Sequence, residues 1–267
     1  MKAEEFIQEL INYGHTNFYG VPDSLMSSFS KSLQLDFNNQ VNHIITQNEG
    51  AAVGIAIGEY VSTKKISVIY LQNSGIGNII NPLTSLAAED VYDVPLLFLI
   101  GWRGKPGFKD EPQHKFQGKI MLDQLKLLGI EFQIISKDKF PDFDMMKKHI
   151  SSGKHFAFVV EENFFEKDSR SLEVKSDFDS REKHILEISS LFQNSEIFVS
   201  TTGKTSRELY FINKNSKLSD KQVFYSIGGM GHASSIALGI AKSNKNNKVI
   251  LLDGDGALLM HMGILPI

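Results

Sequence analysis

There is no cysteine anywhere in the 267 residues. That absence excludes disulfides, thiolate metal sites and cysteine nucleophiles, and it makes a reducing, cytoplasmic setting the expectation. No apolar run reaches the ~20 residues that a membrane-spanning helix needs, so no membrane partner is expected. Charge of one sign is also missing, with 28 basic residues against 31 acidic ones for a net charge of −3. Without a basic excess or a long basic run, the chain has no nucleic-acid footprint. The eight histidines form no His-x-His or His-Glu-x-x-His arrangement, so they offer no metal centre. Met1-Lys-Ala-Glu-Glu-Phe6 reads as an acidic amphipathic helix, not a signal peptide. What is present, 42% hydrophobic and 22% charged residues, fits a soluble globular protein of one large or two ordinary domains.

Helical patterns alternate with short apolar strands. Strands are expected at Asn17–Val21, His43–Thr46, Ile66–Leu71, Pro95–Ile100, Glu131–Ile135 and His155–Val160. Several are apolar throughout, as strands buried on both faces of a parallel sheet are. Between them lie helices at Ala3–Tyr13, Glu49–Tyr60, Gly75–Ala88, Leu122–Leu128 and Phe143–Ser151. The stretch from Glu161 to Lys183 is polar and poorly periodic and reads as a link between domains. A second run has strands at Ile197–Thr201, Phe224–Ile227 and Lys248–Leu252, separated by helices. The expectation is an α/β protein with two parallel sheets flanked by helices. Residues 1–165 form the first domain, 166–183 the linker and 184–267 a second domain that is incomplete.

Four places carry candidate chemistry. Gln47-Asn-Glu-Gly-Ala-Ala52 places Glu49 at the mouth of a tightly packed apolar helix. A carboxylate there is either a helix-start charge or a partly desolvated group suited to proton work. Asn73-Ser-Gly-Ile-Gly-Asn78 follows a strand, and Gly75 and Gly77 allow close approach to its backbone. Gly101 to Lys119 reads as one long loop at the carboxyl end of a buried strand, where α/β proteins bind ligands. It holds the sole tryptophan and the basic cluster Arg103, Lys105, Lys109, His114, Lys115 and Lys119, which suits an anionic substrate. The fourth is a set of three strand–glycine–helix junctions at Thr201–Ser206, Ser226–Ala233 and Asp253–Gly256. Gly203-Lys-Thr205 is not a P-loop, because Phe198 stands where that motif needs glycine. Helix N-termini after glycine still suit phosphate, and a carboxylate beside them suits Mg2+.

Taken together, these motifs resemble the thiamine-diphosphate-dependent decarboxylases, and within them the phosphonopyruvate decarboxylase branch. The resemblance rests on Gly20-Val-Pro-Asp-Ser24, Asn48-Glu-Gly-Ala-Ala52, Trp102-Arg-Gly-Lys-Pro-Gly107 with Asp110-Glu-Pro-Gln-His114, Gly231-His-Ala-Ser-Ser-Ile-Ala-Leu-Gly239 and Gly254-Asp-Gly-Ala-Leu-Leu-Met-His-Met-Gly263. It implies a pyrimidine-binding domain first and a diphosphate-binding domain second. The implied cofactors are thiamine diphosphate and Mg2+, and the implied assembly is a homodimer or larger with its active site between chains. Glu49 resembles the glutamate that hydrogen-bonds the cofactor's aminopyrimidine and promotes loss of the thiazolium C2 proton. Gly75, Gly203, Gly254 and Gly256 would lie against the cofactor, Met230 under its bend, and Asp255 on the metal. Ser24 and Asp23 would face a small anionic 2-oxo acid, with Arg103, Lys105 and His114 taking its phosphonate.

The implied reaction is decarboxylation of 3-phosphonopyruvate to phosphonoacetaldehyde, a step of phosphonate biosynthesis, with sulfopyruvate as the alternative substrate. The family's metal motif continues with an Asn-Asn pair a helix and a strand beyond Asp255. No residues remain for that pair before Ile267, so the expectation is a C-terminally truncated chain. A catalytically silent fragment is the competing expectation.

Overall fold

The computed structural model describes residues 1–170, 178–192, 195–215 and 222–267. They divide into two compact units, Met1–Leu172 and Glu173–Ile267. The α/β class with parallel sheets is observed in both.

The first unit runs α1 (Ala3–Asn12), β1 (Asn17–Gly20), α2 (Ser27–Leu35), β2 (Asn42–Ile45), α3 (Glu49–Thr63) and β3 (Val68–Gln72). It continues α4 (Ile76–Pro82), β4 (Leu97–Gly101), α5 (Pro112–Leu127), β5 (Ile130–Ile135), α6 (Phe143–Ser151) and β6 (His155–Val160). The six strands pair in parallel in the order β2-β1-β3-β4-β6-β5. Side chains alternate across a strand, so each apolar strand feeds two cores. Phe18, Tyr70, Leu99 and Phe158 pack on the face that carries Phe6, Leu10 and Phe29. Tyr19, Ile69, Leu71, Phe98 and Val159 pack on the opposite face with Ala52, Val53 and Met121.

From β1 the chain moves to β2 on one side and β3 on the other. The loops after β1 and β3 therefore part at a topological switch point, where open α/β sheets form their ligand crevice. Asp23 and Ser24 follow β1, and Asn73 to Gly75 follow β3.

Two sequence expectations change here. The stretch from Gly101 to Lys119 is not one loop, because α5 begins at Pro112. Proline is favoured at the first helical position, where its missing N–H is not needed. His114, Lys115 and Lys119 are therefore helical. The stretch from Glu161 is not simply a linker either. Phe164 and Phe165 are buried, and both rings pack against Phe6. Arg170 then forks onto Asp36 at 2.6 and 2.8 Å, and Lys31 donates to the Asp168 and Arg170 carbonyls. Residues 161–170 are thus fastened to the first unit. Of the linker expected at residues 166–183, residues 171–177 lie outside the described residues.

The second unit runs α7 (Arg181–Leu191), β7 (Ile197–Ser200), α8 (Lys204–Asn215), β8 (Gln222–Tyr225), α9 (Ala233–Ser243), β9 (Val249–Leu252) and α10 (Asp255–Met260). Its described sheet is parallel in the order β8-β7-β9. Phe198, Leu209 and Leu252 pack on one face; Val199, Ala233 and Ala237 pack on the other. The switch point falls between β7 and β9, which sets Thr201–Lys204 beside Asp253–Gly256. Residues 216–221, which follow α8, are outside the described set.

Candidate cofactor and substrate sites

In the first unit, Glu49 opens α3 and is buried. Asn48 caps the helix, its side chain accepting from the Ala51 N–H at 2.9 Å. This places the Glu49 carboxylate beside α4, where Asn78 Nδ2 donates to Oε2 at 2.6 Å. Gly75 is what makes room for it. A Cβ on Gly75 would lie 2.6 Å from Glu49 Cγ and closer still to the carboxylate. The close approach expected at this glycine is therefore made by Glu49 itself, whereas Gly77 has nothing within 4 Å. Asn78 was not singled out as Glu49's partner in the sequence. The signal was there, since it ends the same Asn73–Asn78 motif.

The loop between β4 and α5 forms a cleft of about 260 Å³ with Ser24, Leu25, Trp102 to Lys105, Phe108 to Asp110 and Glu161-Glu162 on its walls. Arg103 is the scaffold of this cleft. It grips Asp110 with Nε at 2.9 Å and Nη2 at 2.6 Å, and Nη1 donates to Ser24 Oγ at 2.8 Å. The guanidinium and the N–H groups of Gly104 and Glu111 hold the Asp110 carboxyl far below the usual carboxylate range. Lys105 pairs with Glu161 at 2.5 Å, and its ammonium lies over the Trp102 and Phe108 rings. Asn73 ties the cleft to the β3 loop, because its Nδ2 donates to the Arg103 carbonyl at 2.8 Å. His114 is half-buried on α5. Burial, with repulsion from Arg103, lowers its pKa and favours the neutral ring. Ser24, Arg103 and Lys105 thus share one cleft, while His114 is not among its lining residues.

Asp23 is buried, and a Cβ on Gly101 would collide with its carboxylate. Neither oxygen makes a hydrogen bond of ordinary geometry, although the Leu25 and Ser24 N–H groups act on the carboxylate. Burial pushes the carboxyl up from 3.8 to about 6, opposed only in part by the Leu25 and Ser24 N–H groups and the Arg103 charge. A raised folded pKa means that the folded state holds the proton longer than the unfolded chain. Its stabilising effect is present at low pH and is lost as pH rises from about 4 to about 6. The stability difference between wild type and Asp23→Asn should therefore shift against wild type by about 2–3 kcal/mol across that window. Denaturant unfolding at pH 4 and pH 7 measures it, and a difference that does not move between the two would remove the buried-acid description.

In the second unit, three buried polar atoms converge on the carboxyl end of the sheet. Thr201 Oγ1 after β7, Ser226 Oγ after β8 and Asp253 Oδ2 after β9 all lack hydrogen-bond partners. Gly203 reaches φ +90° just before α8. Gly254 donates its N–H to Asp253 Oδ1 at 2.9 Å, and the exposed Asp255 begins α10. Met230 is exposed, and its Cε lies 3.4 Å from where a Cβ on Gly256 would sit. Among the described residues no cluster of three or more His, Asp or Glu could hold a metal. Among them, too, no helix is long and apolar enough to cross a membrane.

Residues 2–127 match the model of the thiamine pyrophosphate enzyme N-terminal TPP-binding domain. Residues 201–265 match that of the thiamine pyrophosphate enzyme C-terminal TPP-binding domain. The chain belongs to the thiamine pyrophosphate enzyme family. Thiamine pyrophosphate is thiamine diphosphate under its older name.

Within this family, the chain is 29% identical to a phosphonopyruvate decarboxylase from Streptomyces hygroscopicus, across 99% of its own length and 68% of the relative's. It is 47% identical over 70 residues to the β subunit of sulfopyruvate decarboxylase from Methanocaldococcus jannaschii, covering 26% of the chain and 34% of that subunit. These relatives are decarboxylases, hence carbon–carbon lyases. The benzoylformate decarboxylase structure from Polynucleobacter necessarius superposes with a TM-score of 0.51 at 17% identity, over 78% of this chain and 40% of that one, which supports the fold.

The residues present fit a diphosphate. Unpartnered hydroxyls of Thr201 and Ser226 need a ligand or water, because a buried polar atom without one is costly. The N-terminus of α8 after Gly203 adds N–H groups and a favourable dipole.

Proposed function

We propose that the family site acts here as a decarboxylase of a small, doubly anionic 2-oxo acid. 3-Phosphonopyruvate, converted to phosphonoacetaldehyde and CO2, is the reading we favour. The observation that carries it is the cleft of Ser24, Arg103 and Lys105, which sets two cations, each paired with an acid, on the same crevice side of the sheet as Glu49. Sulfopyruvate is the second reading, favoured by the locally higher identity to a sulfopyruvate decarboxylase subunit.

Thr201, Ser226 and the N–H groups after Gly203 would take the diphosphate. Asp255, with Asp253, would take Mg2+, and phosphate oxygens and water would complete its octahedral shell. Met230 would support the bound molecule from below. Bound thiamine diphosphate supplies an electron sink for the carbanion that CO2 leaves behind. Glu49, fixed by Asn78 and given space by Gly75, would hold the hydrogen bond that sets the cofactor's protonation. Ser24 would meet the substrate, oriented by Arg103. Asp23, buried against Gly101 with its raised pKa, is suited to holding or releasing a proton next to Ser24. In keeping with the family, the assembly would be a homodimer or larger with its site shared between chains.

The test is CO2 and aldehyde release from phosphonopyruvate and from sulfopyruvate, with thiamine diphosphate and Mg2+ present. Turnover of phosphonopyruvate with the higher kcat/KM is expected. A preference for sulfopyruvate would overturn the substrate, and no turnover of either would overturn the activity for this chain.

A further inference from the structure

We infer that Glu161 determines specificity by occupying the anion subsite itself. Its carboxylate sits on Lys105, and a substrate's acid group enters by displacing it. This rests on reading the cleft as the place where the substrate's distal acid group binds.

The two cations of the cleft differ in how they are held. Arg103 is locked, with both arms of its fork on Asp110 and its remaining nitrogen on Ser24. Asp110 in turn accepts from the N–H groups of Gly104 and Glu111. Freeing Arg103 would break that whole network, so it serves as framework. Lys105 is built differently. Two rings, Trp102 and Phe108, place its ammonium at 5.4 and 4.6 Å from their centroids. Such contacts attract a cation without consuming its hydrogen-bond donors. The described partner for those donors is Glu161.

Glu161 is anchored at its backbone, and the described partner of its carboxylate is Lys105. The Glu161 N–H donates to the Ile135 carbonyl at 3.0 Å, and its carbonyl accepts from Phe164 N–H at 3.2 Å. Phe164 and Phe165 are buried in the core immediately after it. The main chain therefore stays in place while the carboxylate rotates away, and it returns when the subsite empties. Both side chains of the pair are only partly buried, 26% and 18% exposed, so the exchange does not strand a charge in the interior.

An internal carboxylate sets a threshold. A ligand that brings another single carboxylate offers Lys105 nothing that Glu161 does not already provide. A phosphonate brings up to two charges and three acceptor oxygens, and a sulfonate brings one charge and three oxygens. Charge-assisted hydrogen bonds strengthen with that charge. The expected order of binding is phosphonate, then sulfonate, then carboxylate.

The sole tryptophan lies in the cleft, so its emission reads the subsite directly. The probes are phosphonoacetate, sulfoacetate and malonate, which share a skeleton and differ in one acid group. In wild type, phosphonoacetate should bind most tightly and malonate least. In Glu161→Gln, malonate should tighten on the order of tenfold and phosphonoacetate by less, so the three converge. Glu161→Asp keeps the charge but shortens its reach, and it should tighten malonate in the same direction. Lys105→Met should abolish the response in either background. Wild-type malonate affinity in both Glu161 variants, or weaker binding in either, would overturn the proposal. The readout does not depend on turnover. A chain that shows this order but releases no CO2 would retain the latch and lose the decarboxylase reading.

Discussion

Glu49→Gln should lower kcat by about 10²–10⁴-fold, the range for losing a positioned proton-transfer group, while the affinity for thiamine diphosphate changes little. The substitution keeps the shape of the side chain. One amide oxygen can still accept from Asn78, which donates to Glu49 Oε2 at 2.6 Å. The other end changes from an acceptor to a donor, so the hydrogen bond proposed to set the cofactor's protonation is lost. Gly75 leaves no space for a different placement, because even a methyl group there would collide with the carboxylate. Steady-state turnover and calorimetric cofactor binding separate the two effects. Near-normal kcat would remove Glu49 from the role proposed for it. A large loss of cofactor affinity with kcat retained would make it a binding residue only. The thermal midpoint should stay close to wild type, since no buried group is left without a partner.

Glu49 also shows what was legible in the sequence. Its position at a strand-to-helix junction before a small-residue helix followed from local patterning, and so did the parallel sheets, because continuous apolar runs have few other solutions. Gly203 and the Asp253–Gly256 turn were legible as glycines at strand ends, and Gly203 takes φ +90° there, a conformation that suits glycine. What local patterning missed were pairings between distant segments. Asn78 meets Glu49 across two helices, and Glu161 meets Lys105 across more than fifty residues of sequence. The basic loop shows the limit most clearly. Its charges were visible, but the acids that hold them were read as loop and linker. Asp110 and Glu161 turn a cluster of free cations into one locked and one exchangeable ion pair. The start of α5 was missed because Gln113 to Lys119 has weak helical periodicity, and the helix is held by docking onto the loop before it.

That docking predicts a large stability effect at Gly118. The residue lies on the buried side of α5, directly against the Arg103–Gly104 main chain. A Cβ there would lie 2.6 Å from the Arg103 carbonyl oxygen and nearer still to that of Gly104. The obstacle is backbone, which cannot rotate away as a side chain can. Gly104 repeats the constraint from the other side, at φ +68° and pressed against the His114 carbonyl. Trp102 Nε1 closes the contact by donating to the Gly118 carbonyl at 2.9 Å. Gly118→Ala should therefore push α5 off the loop and cost about 3 kcal/mol, the upper end of ordinary overpacking. The better helix propensity of alanine, worth about 1 kcal/mol, offsets only part of this. Trp102 emission should shift to the red as its indole loses that partner and meets water, and the Lys105 subsite should weaken for every anion together. Denaturant unfolding followed by tryptophan emission measures both effects in one titration. An unchanged midpoint with unchanged emission would show that the helix does not seat by backbone contact. An unchanged midpoint with shifted emission would place the strain in the cleft alone, with the rest of the sheet unaffected.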